Sequence, residues 1–579
     1  MLRTRLALTA AVVLSLAVPA AARAGDPIMP LSEVQSGMHC TGYSVIRGTD
    51  ITSFDVDVLD VLAGADPQIL VKVSGPAVDE TGIAEGFSGS PVKCAGADGT
   101  PRTIGAIAQG TGDYGNKLVL VTPIELLLGE PVDPPKGAKP MSRKLARSVR
   151  PLATPMSFSG VSGPVADALR TAGRKVGRAL YAAPAAPRAA TFGVQTLQPG
   201  SSVAVGLASG DVAAGAVGTV TYVDGDAVWA FGHPLDGAGA RSLLLQDAYV
   251  YTVVNNPLDT EQVTSYKLAA PGHDLGTLTD DAPAGVVGRL GRLPDRFPLR
   301  VTAKDLDNGT VTHVNAEIAD ETAVGQPTGS SSLTQVGPVA VAQAAYGILH
   351  GSPTRQSGEM CVRITVRERR APLRFCNTYV GGSPTAAGAP LVADFAGASG
   401  LLDAYNFGVL HITAVDVNIG LRRELRQAYL LDAAAPRHVR RGHDLTVRVV
   451  AQHVRWARFT RNVVVHVPRD LSTGDHVLTL TGSPADVPTT AGDAQDLASV
   501  FTITLGGGTG DGSDDDPGPR TPAALADAFA ATHREDGVTA SFRDVGDSAG
   551  DTATNEIEVL RDPSVRISGT LRLRVGVRR

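Results

Sequence analysis

The chain has 579 residues, more than a single hydrophobic core organises, so two to four domains are expected. Its 65 glycines and 38 prolines, against 4% aromatic residues, mark many turns and favour strands over helical bundles. A formal charge of −6 on this length excludes any charge-based argument for nucleic acid or an anionic membrane as partner.

Residues 1–24 have a basic start (Arg3, Arg5), an apolar run from Leu6 to Val18, and the small-residue site Ala22-Arg23-Ala24. That is the layout of a secretory signal peptide cut before Gly25. No later segment offers the roughly 20 apolar residues of a membrane span, so the expected mature protein is exported, on the secreted or cell-envelope exterior side. Four cysteines fit an oxidising compartment, and of the three possible pairings position favours Cys40–Cys94 and Cys361–Cys376. The second pair brackets CVRITVRERRAPLRFC, two strands around a charged turn. No CxxC or His-x-x-His spacing supports metal binding, and no metal or organic cofactor is expected.

Residues 25–133 read as a lobe of short strands: SFDVDVLDVL (53–62), QILVKVSG (68–75), TIGAIAQ (103–109) and LVLVTPI (118–124) alternate as a half-buried sheet requires. Residues 134–191 form a basic, proline-containing connector and then a helix at 164–181, with Pro164 at its start and Val165, Leu169, Val176 and Leu180 on one face. A second strand-rich lobe spans 192–305, and its YVDGDAV carries an Asp-Gly hairpin signal. A β-rich extension (306–380) with the hairpin disulfide follows. A sandwich is expected at 381–505, from FGVLHITAVDVNIGL, HDLTVRVVAQ, RNVVVHVP and GDHVLTLTG. GGGTGDGSDDDPGP marks a linker at 506–520, and 521–579 a small C-terminal element.

Two signals mislead. GTGDYG (110–115) satisfies G-x-G-x-x-G, but a strand rather than a helix follows it, so its glycines belong to a hairpin loop and not to a dinucleotide site. The basic connector 134–151 lacks the interleaved aromatics of a nucleic-acid surface.

GIAEGFSGSPV (82–92) places Ser88 between Gly86 and Gly89, with Pro91 fixing the exit into a strand. Glycines on both sides let successive backbone N–H groups converge on one point, as acyl transfer to a serine requires. AFGHPLDGAG (230–239) places His233 where an apolar strand ends, and imidazole is the side chain suited to general-base work near neutral pH. Together these segments resemble the SpoIVB-type serine peptidases, whose fold is trypsin-like. GIAEGFSGSPV is similar to that family's nucleophile motif, with Phe87 where methionine is usual. TIGAIAQGTGDYG resembles its next hairpin, GTVTYVDGDAVWAFGHP its histidine segment, and DLGTLTDDAPAGVVGRLG (274–291) the stretch after it.

The resemblance covers residues 35–300. It implies a trypsin-like double barrel in rearranged order; with the sandwich and the small C-terminal element read above from the strand pattern, the whole chain is expected to be mainly β. It further implies Ser88 as nucleophile, His233 as general base, an oxyanion hole from the N–H groups of Gly86 and Ser88, and a protein or peptide substrate. Two departures stand out: the serine segment precedes the histidine segment, and the strand LVKVSGP (70–76) lacks the family's acid. Asp55, Asp57 and Asp236 are the substitutes considered for it, with Asp280 and Asp281 further on. The rival expectation is a non-catalytic peptidase-like protein of the cell envelope, with the barrel kept for binding or structure.

Overall fold

The computed structural model describes residues 25–111, 117–152, 155–185, 192–256, 265–325, 330–350, 355–381, 389–483, 496–506, 518–531, 536–545, 554–562 and 564–579. The expected leader (1–24) and most of the expected linker (507–517) lie outside the described residues. The protein is mainly β, with 51% strand and 17% helix, so the turn-rich composition translates into sheets as anticipated.

Six strands open the chain: β1 (His39–Val45), β2 (Ile51–Ala63), β3 (Gln68–Ser74), β4 (Pro91–Ala95), β5 (Pro101–Thr111) and β6 (Leu118–Pro123). Antiparallel pairing runs β1-β2-β3-β6-β5-β4 and returns to β1, closing a barrel. On β2 the period of two sends Phe54, Val56 and Val58 into its core and leaves Ser53, Asp55 and Asp57 outward. The disulfide Cys40–Cys94 joins directly opposed residues of β1 and β4. Strands β5 and β6 pair up to Gly110 and Val119, and residues 112–115 of the glycine-rich GTGDYG lie outside the described residues.

The second lobe repeats the pattern. Its strands are β7 (Ser202–Gly210), β8 (Ala213–Asp224), β9 (Ala227–Ala230), β10 (Gly239–Val254), β11 (Tyr266–Ala282) and β12 (Gly285–Leu290). Pairing runs β7-β8-β9-β12-β11-β10 and returns to β7, so the ring order is that of the first barrel shifted by six. Gly225-Asp226 form the two-residue turn between β8 and β9, with Gly225 at φ +60°.

Four features differ from the sequence reading. The helix expected at 164–181 is α1 (Gly163–Val176): Gly177 adopts φ +67° and ends it, and Leu180–Ala183 is a strand. The 306–380 extension contains a helix, α2 (Ser332–Leu349), buried around most of its circumference, so it lacks the polar face that would have announced it. The segment after Phe407 does not join the sandwich. Its strand Ile412–Arg422 lies between Arg296–Asp305 and Gln356–Val366 in a sheet continuous with the second ring. Finally, the sandwich core draws on residues from Ala428 to Val577, so the C-terminal tail supplies strands to it. The second disulfide, Cys361–Cys376, bridges opposed residues of the hairpin Gln356–Val366 and Leu373–Gly381.

Candidate active site

The loop between β3 and β4 carries GIAEGFSGS. Phe87 is fully buried in the first barrel and anchors it. Gly86 (φ +89°) and Gly89 (φ +91°) supply the left-handed turns around Ser88 that side chains resist. The loop is also pinned to the second ring. Glu85 and the start of β11 exchange backbone hydrogen bonds, Glu85 N to Ser265 O (2.8 Å) and Lys267 N to Glu85 O (2.9 Å). From β8, Thr219 N donates to Ser88 O (2.8 Å), Thr219 Oγ1 to Gly86 O (3.1 Å) and Thr221 Oγ1 to Gly89 O (2.7 Å). The N–H groups of Glu85, Phe87, Gly89 and Ser90 all have backbone acceptors. Those of Gly86 and Ser88 have none among the described residues.

The equivalent loop of the second ring, between β9 and β10, carries His233 and reaches back to the first barrel. Phe231 adopts φ +71°, a conformation that costs a non-glycine residue on the order of 1–3 kcal/mol. Its ring is fully buried, and Phe231 N donates to Thr219 O (3.3 Å), so Thr219 ties both loops together. Gly232 follows at φ +70°, and its carbonyl accepts from Thr122 Oγ1 of β6 (2.8 Å). The strained pair turns His233 inward, where it is 7% exposed.

His233 Nδ1 lies 2.7 Å from Pro234 O. A carbonyl only accepts, so Nδ1 carries the hydrogen and Nε2 keeps the lone pair, the tautomer a general base needs. Burial pushes the imidazole pKa down, while the Pro234 carbonyl and the charge of Asp281 push it up, and the net shift is downward. The ring is therefore neutral at neutral pH. Ser88 Oγ and His233 Nε2 are both buried without a hydrogen-bond partner, and no hydrogen bond joins them. Buried polar atoms are rarely left so, and catalytic groups are among the recognised exceptions.

None of Asp55, Asp57 and Asp236 hydrogen-bonds to His233. Asp55 and Asp57 point out of β2, where Asp57 pairs with His39 (2.6 Å). Asp236 pairs with Arg178 (2.7 Å) and Arg241 (3.5 Å). The carboxylate whose charge reaches the imidazole is Asp281, buried at the end of β11. It accepts from the N–H groups of Leu235 (2.7 Å), Asp236 (2.8 Å) and Ala238 (3.1 Å), the loop that follows His233. Asp280, its neighbour, is half-buried on the same strand.

Lys267 is a buried charged residue beside these loops that sequence reasoning missed. It is 1% exposed, and its Nζ donates to Ser44 Oγ (2.8 Å) and Thr219 Oγ1 (3.2 Å), 4.6 Å above the Phe87 ring. Among the described residues no carboxylate pairs with it, and desolvation pushes its pKa down to about 7. The only trace in the sequence is a lysine in the apolar run YKLAA. Among the described residues no group of three or more His, Cys, Asp or Glu side chains is arranged to hold a metal ion. No family model matches the chain, and neither a curated protein nor a solved structure matches it.

Proposed function

We propose that the chain is a serine endopeptidase of trypsin-like, double-barrel design, closed in the form described here. One observation carries this reading. Two rings of identical strand order each send the loop after their third strand against the other, both loops hydrogen-bond to Thr219, and Ser88 Oγ on one and His233 Nε2 on the other are buried without partners. The free N–H groups of Gly86 and Ser88 and the motif resemblance to SpoIVB-type peptidases support the same assignment.

In this mechanism Ser88 Oγ attacks the carbonyl carbon of a peptide bond while His233 Nε2 takes its proton. The N–H groups of Gly86 and Ser88 receive the tetrahedral oxyanion, a contribution worth about 3–4 kcal/mol per donor in well-studied serine peptidases. The imidazolium then returns the proton to the leaving amine, and water repeats the sequence on the acyl-enzyme. The orienting role of the absent third-member acid falls to the Pro234 carbonyl, which fixes the tautomer, and the charge of Asp281 favours the imidazolium. Ser88 is fully buried, so the substrate requires the two loops to part before attack. Two disulfides suit an oxidising, exported setting, either secreted or at the cell-envelope exterior.

The non-catalytic reading draws on that same burial and on the missing Ser88–His233 hydrogen bond. Labelling with a fluorophosphonate probe separates the two. The peptidase reading expects covalent, time-dependent labelling on the GFSGSPV peptide, absent in Ser88→Ala and strongly slowed in His233→Ala. Equal labelling of wild type and Ser88→Ala, or none in either, supports a binding or structural role for the barrels.

A further inference from the structure

Outside the strands of the two rings, one part of the chain inverts the overall charge. Between Arg422 and Asp470 there are eleven arginines and no lysine against four acidic residues (Glu424, Asp432, Asp444, Asp470), in a chain of net charge −6. The segment builds a cleft of about 510 Å³ between the connector Arg423–Arg426 and the tip of the hairpin formed by Asp444–His453 and Arg458–His466.

The tip is built to present its side chains. Trp456, one of only two tryptophans, is 76% exposed. Arg455 adopts φ +59°, a conformation that glycine or asparagine ordinarily fills. Hydrogen bonds fix the tip from both sides: Val454 N to Gln427 O (2.9 Å), Trp456 N to His453 O (3.0 Å) and Gln452 Nε2 to Trp456 O (3.1 Å). An exposed indole on a fixed turn has already lost the freedom a ligand would otherwise have to remove. Across the cleft, Arg423 is committed to Asp305 and the Leu349 carbonyl, and Arg426 to Glu424. Arg355 and Arg455 have no acidic partner among the described residues.

We propose that this cleft binds an acidic glycan, with Trp456 against the apolar face of a sugar ring and Arg355 and Arg455 on its carboxylates. Guanidinium groups pair with carboxylates through two parallel hydrogen bonds, which suits a cluster made of arginine alone. Glu424 and Ser564, also on the cleft wall, give acceptors for sugar hydroxyls. Glu424 is neutralised by Arg426 and Arg423 by Asp305, which leaves only the Arg355 and Arg455 guanidinium groups of the cleft uncompensated among the described residues; that small free charge suits a hydroxyl-rich ligand with spaced carboxylates better than a continuous run of phosphates. The site does not depend on the peptidase reading, because none of its residues belongs to either ring.

The test uses the full chain with three probes: oligogalacturonate as the carboxylated glycan, dextran oligomers of matched length as the neutral one, and oligodeoxythymidylate. The proposal predicts saturable oligogalacturonate binding that changes tryptophan fluorescence and weakens as salt rises, with dextran and DNA at least tenfold weaker. Trp456→Ala removes the fluorescence change, and Arg455→Gly weakens binding about tenfold. Glycine suits the left-handed backbone, so Arg455→Gly keeps the fold and its loss of binding is not a folding artefact. No saturable binding of oligogalacturonate, equal binding of dextran, tighter binding of DNA, or binding unchanged in both variants overturns the proposal.

Discussion

Lys267 offers the sharpest physical prediction. Its ammonium is enclosed by Ser44, Thr219 and Phe87 with no counter-charge among the described residues, and its pKa falls from 10.5 to about 7. The unfolded chain holds this proton up to about pH 10.5, whereas the folded chain releases it from about pH 7. Stability therefore rises with pH across that window, because the unfolded state binds more protons there. Below pH 7 both states are protonated and the folded state bears the whole penalty, roughly 5 kcal/mol at about 1.4 kcal/mol per pH unit. Lys267→Met keeps the length and apolar stem and removes the charge. Ser44 Oγ and Thr219 Oγ1 lie 3.2 Å apart and can bond each other, so the lost hydrogen bonds cost only about 1 kcal/mol. The variant should exceed wild type by several kcal/mol at pH 6, with the gap closing toward pH 10. Urea unfolding at constant ionic strength, repeated from pH 6 to pH 10, measures it. A constant difference across that range, or a variant less stable at pH 6 than wild type, refutes the reasoning.

Three further outcomes follow from the same seam. A Cβ on Gly89 would overlap the Thr219 carbonyl oxygen at φ +91°, so Gly89→Ala should cost at least about 3 kcal/mol in chemical denaturation and abolish probe labelling. Burial holds the His233 pKa below its ordinary 6.5, so labelling should be at its plateau at neutral pH and fall only as pH drops through a midpoint under 6.5. A midpoint above 6.5 would contradict the buried, neutral imidazole. Asp281→Asn removes the charge that opposes this shift, so the labelling midpoint should move to still lower pH. It should also lower stability by roughly 2–3 kcal/mol, since Asp281 accepts three backbone N–H groups that an amide cannot all satisfy.

Local chemistry in this protein was legible from the sequence, as were both cysteine pairings, whereas most other partnerships across the chain were not. GFSGSPV declared its turn through Gly86 and Gly89, both of which adopt positive φ. The alternation in SFDVDVLDVL announced β2, and that alternation already places Asp55 and Asp57 on one face. What it lacked was which face turned inward, and hence that both carboxylates point out of the barrel core. Strand partners posed the same problem. FGVLHITAVDVNIGL has strand periodicity, but nothing local distinguishes a place beside Arg296–Asp305 from one in the sandwich. Helix α2 escaped notice because VGPVAVAQAAYGIL is apolar on nearly every side, and a buried helix has no amphipathic period. Lys267 is legible only in three dimensions. Its unusual state comes from the closing of two barrels around it.

The most direct test of the central claim is a crystal structure of the protein after reaction with a fluorophosphonate. The account predicts phosphorus bonded to Ser88 Oγ, one phosphonyl oxygen within about 3 Å of the Gly86 and Ser88 N–H groups, and His233 Nε2 in hydrogen-bonding reach of the adduct. An adduct on another side chain, or one on Ser88 whose oxygen meets neither amide while His233 stays turned away, would contradict it.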